Sequence, residues 1–144
     1  RPWTTSRSYC NHRQTHNLWR IVSMLNTPKK LLIVQTKAPF GSSSIQESLD
    51  IVLAAGTFDQ DITLLLEEDA CFQLLDKQHP ELINKKNTTK MLKALPIYGI
   101  EKILVCSKSL TSRNISLPQG DNFQAIDQCH IKKLYKESDN VIRF

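Results

Sequence analysis

At 144 residues and 40% apolar content, the chain has the length to bury one core of about two packed layers, which is the size of one ordinary domain. Its strongest apolar run, 31–34, is cut off by Gln35 and Lys37, far short of the ~18 to 20 residues of a bilayer-spanning helix, so a soluble protein is expected. Of the net charge of +5, four charges sit in an acid-free N-terminal stretch holding Arg1, Arg7, Arg13 and Arg20; from Met24 onward 15 basic residues face 14 acidic ones, which argues against a nucleic-acid-binding body.

Residues 1–23, RPWTTSRSYCNHRQTHNLWRIVS, show no sustained apolar period and precede the first methionine, Met24. Their composition shares the acid-poor, Arg/Ser/Thr-rich character of a transit peptide but lacks its amphipathic stripe. They are expected to be a disordered extension, read through from upstream of the true start, and the domain is expected over 24–144.

After Pro28 short apolar runs alternate with helical periods, the pattern of βα units around a parallel sheet. Residues 30–36 read as a buried strand, continuous rather than alternating in hydrophobicity. Ser44 and Glu47 then form a capping-box spacing, and Ile45, Leu49, Val52 and Leu53 share one face of a helix over 43–55. A second strand over 62–66 ends in Glu67-Glu68-Asp69, and Cys71, Phe72, Leu74 and Leu75 suggest a short helical turn. His79-Pro80 and residues 84–87 mark a polar loop. Thr88 or Thr89 caps a helix carrying Met91, Leu92 and Leu95, which Pro96 and Gly99 stop. A third strand over 102–105 leads to one or two helical turns over 107–113, closed by Asn114 in left-handed geometry. Residues 123–126 read as a fourth strand. A helix over 128–136, with Ile131, Leu134 and Tyr135 inward, leads to a last strand over 141–144. The alternation predicts a single three-layer α/β domain, a flavodoxin- or Rossmann-like, mostly parallel sheet of about five strands with helices on both faces.

Cys10, Cys71, Cys106 and Cys129 lie far apart, without C-x-x-C spacing or the density of a disulfide-stapled domain, so reduced thiols in the cytosol are expected. His12, His16, His79 and His130 have no matching cysteine pair, and neither a structural metal nor a cofactor is expected.

Ligands of open α/β sheets bind beyond the carboxyl ends of the strands, so three places carry the candidate chemistry. The loop from Pro39 to Ser44 offers hydroxyls at a helix start but no phosphate-binding glycine pattern. The acids 67–69 read as a solvated loop, and they disfavour a thiolate at Cys71, which reads as a packing residue beside Phe72. Cys106 is the candidate reactive thiol, because it follows the third strand and precedes a helix start with Lys108 close by, the setting that lowers a cysteine pKa. The competing reading makes it an inert buried thiol.

On these residues the sequence resembles the DsrE/DsrF-like sulfur-relay proteins, and among them the C or F subunit, over about 29–144. The resemblance rests on Ala38-Pro39-Phe40-Gly41 with Glu47-Ser48-Leu49-Asp50, on Phe72-Gln73-Leu74-Leu75 before Gln78-His79-Pro80, and on Leu95-Pro96-Ile97-Tyr98. Val105-Cys106, Ser109-Leu110, Arg113 and the stretch from Asp139 to Phe144 extend it. It departs from the family pattern at Ala70-Cys71, where Gly-Val is usual, and at Asn114, where Gly follows the arginine.

The resemblance implies a cytoplasmic dimer of heterotrimers built with paralogous B and D (or H and E) subunits. Such a complex passes persulfide sulfur between upstream and downstream sulfur-carrier proteins toward the 2-thio group of a tRNA wobble uridine, or serves dissimilatory sulfur oxidation. It implies neither direct nucleic-acid binding nor a membrane. It places the essential relay cysteine on the D or E subunit, which makes this chain an accessory subunit and leaves Cys106 as a structural thiol, a helper or a second carrier.

Overall fold

The computed structural model describes residues 29–58, 60–119 and 122–144; the extension expected over 1–23 lies outside them. Five strands, β1 (Lys30–Gln35), β2 (Asp61–Leu66), β3 (Lys102–Cys106), β4 (Phe123–Ile126) and β5 (Asn140–Arg143), form one all-parallel sheet in the order β4-β3-β2-β1-β5. Helix α1 (Ser44–Gly56) joins β1 to β2. Two 3₁₀ turns, α2 (Thr88–Ala94) and a further 3₁₀ turn (Leu95–Tyr98) join β2 to β3. The short α3 (Ser107–Ser112) joins β3 to β4, and α4 (Gln128–Glu137) joins β4 to β5.

Right-handed crossovers dictate where the helices lie. The chain steps in one direction from β1 to β4, so α1, α2 and α3 stack on one face; it then returns past β1 to β5, which sends α4 to the other. Strand alternation supplies both cores. Leu31, Ile33, Leu64, Leu66, Ile103 and Val105 pack under the first group of helices, whereas Leu32, Val34, Leu65, Cys106 and Ile126 face α4 through Ile131. This is the three-layer arrangement expected, with the second layer thinner: one ten-residue helix covers a face on which Leu104 and Thr63 stay half exposed.

Local details correct the sequence reading. Helix α1 begins at Ser44 with Ser43 at the N-cap in helical geometry, where its hydroxyl does not reach a backbone N–H; it donates instead to the Glu47 carboxylate at 2.6 Å. Helix α2 is capped by Asn87, extended, whose Oδ1 accepts from the Lys90 N–H at 3.0 Å, rather than by Thr88 or Thr89. Strand β3 runs one residue further than expected and ends on Cys106. Leu53, Met91, Leu134 and Tyr135 are half-buried margins of their helices rather than core. Gly99 and Asn114 both take left-handed backbone, as the turns after α2 and α3 require.

Candidate functional site

Cys106 stands at the point where the fold changes direction. The connection after β3 goes to α3 on one face, and the connection after the adjacent β4 goes to α4 on the other, so β3 and β4 part at their carboxyl ends, the usual location of a ligand crevice. Val105 points toward the first core and Cys106 toward the second, beneath the start of α4.

Here the crevice is closed. Cys106 is 3% exposed, packed with Leu32, Val34, Leu65, Ile126 and Ile131, and the Gln128 amide Nε2 donates to its Sγ at 3.4 Å. The Ser107 hydroxyl donates to the Ile126 carbonyl at 2.8 Å and ties the two diverging strand ends together. Lys108, the cation expected beside the thiol, is exposed on α3. The sulfur is thus shut from solvent, with Gln128 bonded directly to it.

The acidic cluster after β2 is a bracing point rather than a free solvated loop. Asp69 Oδ1 accepts from Arg113 Nε and Nη2 at 3.0 and 2.8 Å, and Glu68 pairs with Arg143 at 3.4 Å. The Glu68 N–H donates to Ser109 Oγ at 2.9 Å, from a left-handed backbone. The end of β2 is thus linked to α3 and to β5. Ser109, Arg113 and Arg143 all lie within the stretches that carry the family resemblance; that was the available signal, although spacing alone does not pair them across more than forty residues.

Burial leads the chemistry of the nearby groups. It pushes the Cys71 thiol up to about 11, with Arg113 pulling the other way and Cys106 and Glu67 adding to the rise. Cys71 is fully buried and stays a neutral packing residue, as expected, but for a different first reason than the adjacent acids. Glu67 is also raised, by burial first, with Arg143 opposing and Glu68 adding. A carboxyl whose folded pKa lies above its ordinary 4.5 contributes stability that is fully present below that value and is lost as pH rises through the folded one. Glu67→Gln is therefore expected to raise the melting temperature at neutral pH and to leave it nearly unchanged in acid well below 4.5. An equal shift at both pH values, read by thermal melts, overturns this.

After β1 the hydroxyls of the loop are already engaged. Ser42 Oγ bonds Ser44 Oγ at 3.1 Å, and Ser43 holds Glu47, whose carboxylate lies in the first turn of α1 and opposes an incoming phosphate. Beneath them lies a polar cluster that sequence reasoning missed. Gln35 Nε2 donates to Ser48 Oγ at 2.5 Å, Gln73 Nε2 donates to Gln35 Oε1 at 2.8 Å, and the Thr89 hydroxyl donates to the Gln73 carbonyl at 2.7 Å. Gln35, Ser48 and Gln73 are all fully buried. Their signal was again the resemblance, which includes Ser48 and Gln73. Among the described residues no group of three or more His, Cys, Asp or Glu side chains is placed to hold a metal ion, and no helix is long and apolar enough to cross a membrane.

Comparison with known proteins places this geometry. Residues 29–144 match the model of the DsrE/DsrF-like family. A Pseudomonas aeruginosa protein named Protein TusC homolog is 32% identical over 115 residues, covering 79% of this chain and 97% of that protein. The Allochromatium vinosum protein named Intracellular sulfur oxidation protein DsrF is 29% identical, over 84% of this chain and all of its own length. Among solved structures, the crystal structure of the ychN protein from E. coli superposes with a TM-score of 0.71 at 27% identity, covering 81% of this chain and 99% of that one.

Proposed function

The chain belongs to the DsrE/DsrF-like family, and from that premise we propose that it is the accessory C-type subunit of a cytoplasmic sulfur relay. In this reading it assembles with paralogous B and D subunits as a dimer of heterotrimers and shapes the face on which the D subunit presents its persulfide. The sulfur continues through carrier proteins to the 2-thio group of a tRNA wobble uridine. Relatives named TusC favour this branch, and the DsrF relative supplies the alternative, a role in sulfur oxidation.

The observation that supports an accessory role is the burial of Cys106 under Gln128. Thiol–persulfide exchange needs in-line approach of a thiolate to sulfur, and a thiol sealed between a sheet and a helix start does not offer that approach. The test is co-expression with the B and D paralogues of the same genome, sulfane-sulfur loading of the purified complex, and intact-mass measurement of each subunit. A hexamer with the added sulfur on the D subunit alone is expected.

Added sulfur on this chain, lost in Cys106→Ser, makes Cys106 a carrier instead. Its thiolate would then attack the outer sulfur of a donor persulfide and release the donor thiolate, and a downstream thiolate would take that sulfur in turn. Failure to form any complex with the paralogues sinks the relay-subunit reading altogether.

A further inference from the structure

The connection between β2 and β3 carries a two-part surface that the relay site does not use. The 3₁₀ turn Pro80–Ile83 leaves Leu82 82% and Ile83 55% exposed. With Leu75, Phe40 and Phe72 they rim an apolar depression of about 540 Å³. Sharing the wall Leu75, Gln78, His79 and Pro80 is a second hollow of about 640 Å³, lined by Lys77, Lys85, Lys90 and Lys93.

The charge of this second hollow is unbalanced. Asp76 pairs with Lys93 at 3.4 Å, and the Glu81 carboxylate lies 3.0 Å from His79 Nδ1, a hydrogen-bond contact that leaves its charge in the hollow. Four lysines, Lys77, Lys85, Lys90 and Lys93, thus face two carboxylates, and Lys77 and Lys85 in particular have no ion-pair partner among the described residues, while Lys90 shares the field of Glu81. Gln78 Nε2 donates to the Phe72 carbonyl at 2.6 Å and holds the loop, while Lys77 and Asn84 sit in left-handed backbone on either side of the exposed turn.

Adjacent aliphatic side chains in water beside a surplus of lysines are the complement of a protein segment in which apolar residues alternate with carboxylates. RNA fits less well, since single strands are bound on stacking aromatic faces along a basic track, and the apolar rim here is led by Leu75, Leu82 and Ile83. We infer that this surface docks an acidic protein segment, an aliphatic or aromatic side chain entering the depression and carboxylates lying over Lys77, Lys85 and Lys90. The inference goes beyond the relay reading and does not depend on it.

The test uses the isotope-labelled full chain and its backbone amide spectrum. It is titrated with a short peptide of leucines flanked by glutamates, with the same peptide carrying lysines for glutamates, and with a single-stranded oligouridine. The acidic peptide is expected to shift amides of 75–93 and 38–41, and Lys85→Glu/Lys90→Glu to weaken it by about tenfold, as reversal of two surface charges does. Leu82→Asp, at a position already in water, is expected to remove the shifts while leaving the rest of the spectrum unchanged. The inference is overturned if the acidic peptide leaves these amides unmoved, if both peptides bind equally, or if only the oligouridine shifts them. It is also overturned if the amides move with protein concentration alone, which makes a second copy of this chain the occupant.

Discussion

Truncating Leu64 to alanine is expected to lower the unfolding free energy by about 3 to 5 kcal/mol, the loss that follows deletion of a fully buried leucine in a site that cannot collapse. Leu64 lies in the central strand, paired between Ile33 of β1 and Ile103 of β3, and faces the side covered by α1 and α2. Rigid elements surround it, so little relaxation fills the void. Leu104 provides the internal control: it faces the thinner α4 side and is only partly buried, so Leu104→Ala is expected to cost only about 1 to 2 kcal/mol. Urea denaturation of both variants measures the difference. Equal losses would mean that α4 covers its face as fully as three helices cover the other.

Gln35→Leu is expected to be the second large effect, about 2 to 3 kcal/mol, although it replaces a polar residue by an apolar one in the core. The new side chain would leave the Gln73 Nε2 donor without its acceptor and the Ser48 hydroxyl without its donor, both shut away from water. Among the described residues Gln73 Oε1 already has no hydrogen-bond partner, so its amide would then be orphaned at both ends. The triple change Gln35→Leu, Ser48→Ala, Gln73→Leu removes the three fully buried polar side chains and leaves only the Thr89 bond to the Gln73 main-chain carbonyl; it is expected to recover most of the loss, because mutual removal avoids the unmet groups. A triple variant less stable than the single one would show that the polar cluster stabilises the fold in itself rather than merely requiring completion.

Where period and punctuation agreed, the sequence was readable. The continuous apolar runs of β1 and β2, the Gly99 stop and the Asn114 turn all came from local chemistry, and each strand was found within one or two residues, whereas the 3₁₀ turns Pro80–Ile83 and Leu95–Tyr98 were not foreseen. The four-residue β4 was also found at its bounds, although two of its residues are exposed. What stayed out of reach was pairing across the sheet: Arg113 with Asp69, Arg143 with Glu68, and Gln35 with Gln73 depend on strand order, which no local window contains. The candidate thiol shows the same limit. Its place at the end of the third strand was legible and burial was one of its two readings; strand alternation fixes which way Cys106 points, and what decides its burial is the return of α4 across that face.

The position of β5 carries a kinetic consequence. Among the described residues it pairs with β1 alone, and contacts that fasten its two ends run from the Lys30 N–H to Asp139 Oδ2 at 2.9 Å and from the Phe144 N–H to the Val34 carbonyl at 2.8 Å. The first of these joins residues 109 apart in sequence, whereas β1 to β4 follow one another through successive crossovers. Closing so long a loop comes late in folding, since its entropy is lost before the contacts compensate. A four-stranded intermediate would meanwhile present the flank of β1, with unmet amides and the apolar face of Leu32 and Val34, to any strand that arrives first. The later α4 and β5 dock, the longer the nascent domain stays open to pairing with another chain at its most apolar strand.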